Sequence, residues 1–320
     1  MKGLTDIAGV RVGHASDFEG ITGCTVILTP AGAVGGVDIR GSATGTEEMD
    51  LLNPLHLTER IHAVVLAGGS AFGLEAAAGV RRFLEHEGIG FDTGAAKVPL
   101  VVGAILYDLG IGKANARPTR EMGQHAATLA SNGPVEEGSV GAGTGATVGK
   151  LLGMKQAMKG GIGSFSMALP GENAGIRVAA LAAVNALGDV IEPKTGAIVA
   201  GTRKSPETRE WANSAELMKR RRQNRFGEKR NTTLVVVATN ALLTKVQAQK
   251  VAQMAQHGMV RSISPVNTSS DGDLVIVLSV GQERTSVDAL GVAAAEVVAE
   301  SILRGVRQAK GLGGVPGLAD

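Results

Sequence analysis

The sequence predicts an α/β fold, and three observations carry that prediction. Short runs of β-branched and apolar residues, such as His62-Ala63-Val64-Val65-Leu66-Ala67, alternate with stretches of strong helix formers, such as Leu74-Glu75-Ala76-Ala77-Ala78. Hydrophobic residues make up 44% of the chain and charged residues 19%, which is enough to build a core and excludes a wholly disordered chain. The 46 glycines show no period of three, which excludes a collagen-like rod. With 320 residues the chain is long enough for one large domain or two ordinary ones.

In chain order, the first sixty residues read as short strands and turns, with strands at Gly9-Val10-Arg11-Val12-Gly13-His14 and Thr25-Val26-Ile27-Leu28. The strand ending at Ala67 runs into Gly68-Gly69-Ser70-Ala71-Phe72-Gly73, and the helix formers that follow carry a helix to about His86. Pro99-Leu100-Val101-Val102 opens another strand, and 119–131 reads as a second helix. Residues 137–164 are glycine-rich. Ile176 to Val184 is apolar enough for a buried element, strand or helix. From 202 to 230 there are ten Lys/Arg against four Glu with almost no apolar periodicity, the pattern of a mobile basic linker. Asn231-Thr232-Thr233-Leu234-Val235-Val236-Val237-Ala238-Thr239 then reads as a buried strand, followed by a helix over 245–257, a strand over 274–278 and a helix over 286–308. The alternation leaves sheet direction open.

Several function classes are disfavoured. The net charge of +2 implies no nucleic-acid partner, and with six Phe, one Trp and one Tyr the chain has few rings for stacking bases. The single cysteine, Cys24, cannot form an internal disulfide or a cysteine-rich metal site. The N-terminus lacks a signal-peptide core, and no run approaches the ~18 apolar residues of a membrane span, so the expectation is a cytoplasmic protein. His14, His56, His62, His86, His125 and His257 contain no i, i+4 pair, and no metal or organic cofactor is expected. The loop ending in Gly149-Lys150 fails as a Walker A motif, because Thr144 and Leu151 stand where Gly and Ser/Thr are needed. Gly141, Gly143 and Ala146 match the looser dinucleotide fingerprint, but no convincing strand precedes them. The next acidic residue, Glu172, lies too far on.

The Asn231-Thr232 junction carries the chemistry. A polar segment meets a buried strand headed by two threonines, and a β-branched strand start is one sufficient reading. The other is an N-terminal nucleophile. If the Thr232 hydroxyl attacks the Asn231 carbonyl and the ester is hydrolysed, the new α-amine sits beside the hydroxyl it must activate. An α-amine titrates near 7.7–8.0, so it can take that proton at neutral pH.

The chain resembles the DmpA-type aminopeptidases, the S58 peptidase family, which includes β-peptidyl aminopeptidases and nylon-oligomer hydrolases. The resemblance rests on Gly3-Leu4-Thr5-Asp6-Ile7-Ala8-Gly9-Val10-Arg11-Val12-Gly13-His14, Leu66-Ala67-Gly68-Gly69-Ser70-Ala71-Phe72-Gly73-Leu74-Glu75, the 139–150 glycine loop, Val184-Asn185-Ala186, Asn231-Thr232-Thr233 and Asp271-Gly272-Asp273. These motifs span nearly the whole chain in family order. The resemblance implies a single 1–320 domain with a four-layer αββα sandwich of the DmpA/ornithine-acetyltransferase type. It also implies self-cleavage into 1–231 and 232–320, and a homo-oligomer, a tetramer in this family.

It assigns roles as well. Thr232 is the implied nucleophile, and Lys150 matches the lysine of the nylon-hydrolase branch, a positive charge beside a developing oxyanion. Asn185 matches the oxyanion-side asparagine and Tyr107 the active-site tyrosine. Asp271 and Asp273 match the acidic pair, which alternation along an extended segment puts on one face, to orient Lys150 or hold the Thr232 amine. Aminopeptidase members carry a glutamate two residues before the tyrosine. Ile105 stands there in this chain, which points toward the lysine-using branch. The function implied is a self-processing peptidase or amidase acting on small peptides or amides through a covalent acyl-enzyme. The alternatives are an acyltransferase using the same threonine, or an uncleaved scaffold.

Overall fold

The computed structural model describes residues 2–220 and 231–320. The strands that build the site are β1 (Arg11–Asp17), β2 (Thr22–Ile39), β3 (Arg60–Ala67), β4 (Val101–Ile105), β5 (Thr147–Val148), β6 (Met158–Lys159), β7 (Ile162–Ala168), β8 (Arg177–Asn185), β9 (Thr232–Ala241) and β10 (Leu274–Glu283). The helices are α1 (Glu75–His86), α2 (Arg120–Thr128), α3 (Ser214–Arg220), α4 (Lys245–Ser262) and α5 (Val287–Arg307). The apolar stretch at 176–184 is a strand, because its β-branched and alanine side chains alternate between two cores rather than lining one stripe. The helix expected over 245–257 continues to Ser262, beginning at a Thr244 capping box with Gln247.

Hydrogen bonding follows the order β7-β8-β9-β10-β2-β3-β4, with β1 paired to β2. Pairs β9/β10 and β3/β4 are parallel and the others antiparallel. The strand at 25–28 proves to be part of an 18-residue strand. Thr29-Pro30-Ala31-Gly32 hides this in the sequence, since proline and glycine punctuate strands. The register slips there, between Leu28 and Ala33, and Gly32 takes φ +80°, a left-handed value that glycine adopts without strain. The first half of β2 pairs with β1 and β3, and Val34 to Ile39 pair with β10.

Side chains divide by parity into three cores, giving an αββα sandwich. Leu234, Val236 and Ala238 of β9 share one core with Val64 and Leu66 of β3, enclosed between the two halves of this sheet. The alternate residues Val235 and Val237 pack under α4 and α5. Val26, Ala63 and Val65 pack under α1 and α2. Small residues set the layer spacing: a Cβ on Gly163 would come within 2.0 Å of the Ser301 carbonyl oxygen on α5.

The first part of the segment that composition marks as a linker is anchored. Asp189 accepts hydrogen bonds from the Thr202 N–H at 2.8 Å, the Ser214 N–H at 2.6 Å and the Ser214 hydroxyl at 2.6 Å. The Arg203 guanidinium is buried and donates to the Lys155 carbonyl at 2.7 Å, and α3 follows. Composition misses this because the anchors are polar side chains meeting backbone. The rest of the expected linker, 221–230, lies outside the described residues. Among the described residues no helix is long and apolar enough to cross a membrane.

Candidate active site

The edge where β8 and β9 meet the surrounding loops gathers Thr232, Lys150, Asn185, Tyr107, Asp271 and Asp273. Antiparallel pairing sets Asn185, the last residue of β8, opposite Thr232, the first of β9. The preceding residue, Asn231, forms a parallel bridge with Asp271. The Asn231 carbonyl oxygen accepts two hydrogen bonds, from the Thr232 hydroxyl at 2.5 Å and from the Gly272 N–H at 2.7 Å. The Asn231 side chain is buried, and neither its Oδ1 nor its Nδ2 has a hydrogen-bond partner among the described residues.

Lys150 is buried and its ammonium donates to the Asn185 carbonyl at 2.9 Å and to Asn185 Oδ1 at 2.7 Å. That Oδ1 also accepts the Thr147 N–H at 2.9 Å, while Asn185 Nδ2 donates to the Tyr107 carbonyl at 3.0 Å. Asn185 is thus a hub joining β8, the glycine loop and the chain just past β4. Burial pulls Lys150 down to about 7, against the opposing charge of Asp271.

The two aspartates hold backbone. Asp271 accepts the Leu187 N–H at 3.3 Å and both the N–H and hydroxyl of Thr268. Asp273 accepts the Thr233 N–H at 2.6 Å and the Asn267 N–H at 2.9 Å. They therefore grip the chain on both sides of Gly272 and fix the direction of its N–H. Burial raises both carboxyls, and the charge of Asp271 helps push Asp273 up to about 8.

A cavity of about 250 Å³ opens against this edge, lined among others by Tyr107, Asp108, Ile111, Lys150, Met154 and Asn231. Ile105 lies instead in the core beneath α1 and α2. Asp108, which sequence reading passed over, accepts the Gly69 N–H at 2.6 Å and the Thr22 hydroxyl at 2.7 Å. It ties the Gly68-Gly69 turn to the cavity wall, and its one sequence signal is adjacency to the only tyrosine. The Gly272 and Thr147 N–H groups were also missed, because every non-proline residue has one.

The loop over 143–146 is no phosphate cradle. Its carbonyls from Gly143, Thr144 and Ala146 converge on the Lys159 ammonium, whereas an anion needs N–H groups. His14 contacts the Thr25 hydroxyl at 2.9 Å, and burial lowers it to about 4, so it is neutral. Among the described residues no group of three His, Cys, Asp or Glu side chains could hold a metal ion. The arrangement supplies a buried hydroxyl against a polarised amide carbonyl, a lysine that titrates near neutrality, and an adjoining cavity.

The model of peptidase family S58 matches residues 2–319. An uncharacterized aminopeptidase of Mycobacterium tuberculosis (strain ATCC 25618 / H37Rv) is 37% identical over 351 residues, covering 100% of this chain and 98% of that protein. A 6-aminohexanoate-oligomer endohydrolase of Kocuria sp. (strain KY2) is 31% identical over 327 residues, covering 94% of this chain and 85% of that protein. Among solved structures, the L-aminopeptidase D-Ala-esterase/amidase of Ochrobactrum anthropi, described as a variant of the Ntn hydrolase fold, superposes with a TM-score of 0.75. It is 20% identical, with 98% of this chain and 88% of that one covered. A Burkholderia sp. beta-aminopeptidase gives a TM-score of 0.70 at 23% identity, with 99% and 90% covered, so the sandwich is shared. By sequence along its whole length and by fold, this chain belongs to peptidase family S58.

Proposed function

We propose that the chain is a self-processing amide hydrolase whose nucleophile is Thr232, freed by cleavage into 1–231 and 232–320. The observation that carries the reading is the pair of hydrogen bonds converging on the Asn231 carbonyl oxygen, one from the Thr232 hydroxyl and one from the Gly272 N–H. Attack by the hydroxyl oxygen on the carbonyl carbon forms a C–O bond. Breaking the C–N bond then sends the hydroxyl proton to the departing Thr232 nitrogen. Negative charge develops on the carbonyl oxygen, where the Gly272 N–H already points. Water hydrolyses the resulting ester, leaving a carboxylate on Asn231 and a free amine and hydroxyl on Thr232.

The freed amine then acts as base toward its own hydroxyl. A substrate amide enters the cavity, its carbonyl is attacked by Thr232, and the amine product leaves with the proton. Water releases the acyl group. Asn185, Tyr107 and Lys150 flank the oxyanion, with Lys150 supplying positive charge, and Asp271 and Asp273 hold the Gly272 and Thr233 backbone. Relatives named as an aminopeptidase and as a 6-aminohexanoate-oligomer endohydrolase support small peptides or short linear amides as substrates. The tetramer and the cytoplasmic location belong to the same reading, and light scattering tests the former.

Intact mass under denaturing conditions tests the core of the reading. Wild type should give two fragments meeting between Asn231 and Thr232, and Thr232→Ala should stay whole and hydrolyse no amide. A wild type that remains one chain after prolonged incubation sinks self-processing.

A further inference from the structure

Lys159 is fully buried, and no step of the proposed reaction uses it. A buried ammonium is costly unless its three N–H donors find acceptors. Here Nζ donates to the carbonyls of Ala146 at 2.7 Å, Thr144 at 2.8 Å and Gly143 at 3.4 Å. The backbone of Lys159 is itself fixed, pairing in β6 opposite Thr147 of β5 and donating its N–H to the Pro316 carbonyl at 2.9 Å.

Peptide planarity carries this grip into the active site. Within one trans peptide the carbonyl and the N–H point in opposite directions. The Ala146 carbonyl is held by Lys159 and by the Gly160 N–H at 2.9 Å. The N–H of the same peptide, that of Thr147, is thereby turned to the opposite side, where it meets Asn185 Oδ1. Asn185 Oδ1 in turn receives the Lys150 ammonium. We propose that Lys159 is a positioning residue: it clamps the 143–147 loop by its carbonyls, so that the Thr147 N–H fixes the Asn185 carboxamide and, through it, Lys150 beside the scissile carbonyl. This rests on the reading of Thr232 as the nucleophile of an amide hydrolase.

The test compares wild type, Lys159→Met and Thr232→Ala. Methionine keeps an unbranched apolar stem and removes the donors. Self-processing is followed by intact mass, folding by circular dichroism and melting. Processed enzyme is assayed with the p-nitroanilides of alanine and 6-aminohexanoate. Folded Lys159→Met should process about tenfold or more slowly and lose about tenfold to a hundredfold in kcat, with KM within about threefold, as misplacement of reacting groups does. Its pH profile should move as well. Lys159 repels the proton on Lys150, while Asp271, Asp273 and Asp108 attract it, so without Lys159 the Lys150 ionisation moves to higher pH.

A folded Lys159→Met that processes and turns over at the wild-type rate overturns the proposal, as does a loss confined to melting temperature. If Lys159→Met does not fold, Lys159→Leu, which also removes the donors, is read by the same criteria. A wild type that neither processes nor cleaves either anilide sinks the Thr232 reading instead.

Discussion

At Gly272 the backbone does what no side chain could do in the same space. A Cβ there would lie 2.8 Å from Thr232 Oγ1 and 2.8 Å from the Ala43 carbonyl oxygen, both too close for a real contact. Gly272→Ala must therefore displace either the proposed nucleophile, Thr232, or the N–H that meets the Asn231 carbonyl. Removing one oxyanion donor typically costs on the order of a hundredfold or more in rate. Gly272→Ala is expected to slow self-processing by at least about tenfold while the protein stays folded, read as the time course of fragment appearance by intact mass. Cleavage at the wild-type rate would remove Gly272 from the reaction. The family resemblance singled out Thr232, Lys150, Asn185, Tyr107 and the two aspartates, and the fold brings these six to one edge. The partners that fix them were not legible. Lys159 sits in the glycine-rich 137–164 stretch, where composition gives no sign of its burial. Its burial follows from three carbonyls about fifteen residues earlier, which only the folded loop supplies.

Strand β9 begins at the proposed cleavage point and runs through the middle of a sheet, between β8 of the preceding part and β10 of its own. Eight residue pairs join β8 to β9, and β10 pairs with β2 along six more. Cutting the chain before Thr232 therefore removes one covalent bond and leaves the layers intact. The two fragments are expected to co-elute as one species on size exclusion in buffer and to separate only in denaturant. Fragments that part in buffer would show that the strand pairing does not hold them. Periodicity made the cores of these elements readable, since Leu234 to Ala238 of β9 form an unbroken apolar run. It missed the length of β2, because Pro30 and Gly32 carry the same composition whether they end a strand or bend one. It also missed the anchoring of 202–220, where Asp189 binds backbone N–H groups that leave no mark in hydrophobic pattern.

Among the described residues Lys150, Lys159 and Lys245 are buried, and burial makes stability depend on pH in a direction that can be worked out, with Lys150 and Lys159 shifted furthest. Burial lowers both Lys150 and Lys159 to about 7, far below the ordinary lysine value. Below pH 7 both are protonated whether the chain is folded or unfolded, and they contribute no slope. Between pH 7 and about 10.4 the unfolded chain binds the extra protons, so unfolding becomes less favourable as pH rises. The stability associated with the depressed values is thus present on the alkaline side and is lost as pH falls through 7. Asp273 works the other way. Its carboxyl is raised to about 8, so its contribution declines as pH climbs toward 8 and is flat beyond. Cys24, pushed up to about 12 by burial, opposes the lysines only above its ordinary value of about 8.5 to 9. The window from pH 8 to 9 therefore belongs mainly to the lysines, each worth at most about 1.4 kcal/mol per pH unit. Chemical denaturation of uncleaved Thr232→Ala should give a higher unfolding free energy at pH 9 than at pH 8. The same comparison in Thr232→Ala carrying Lys150→Met should show a smaller rise, because one of the strongly shifted lysines is gone. A stability that does not rise between pH 8 and 9 would mean that the two ammonium groups stay protonated in the folded protein. The charge on Lys159 would then be held by its three carbonyls more strongly than burial opposes it.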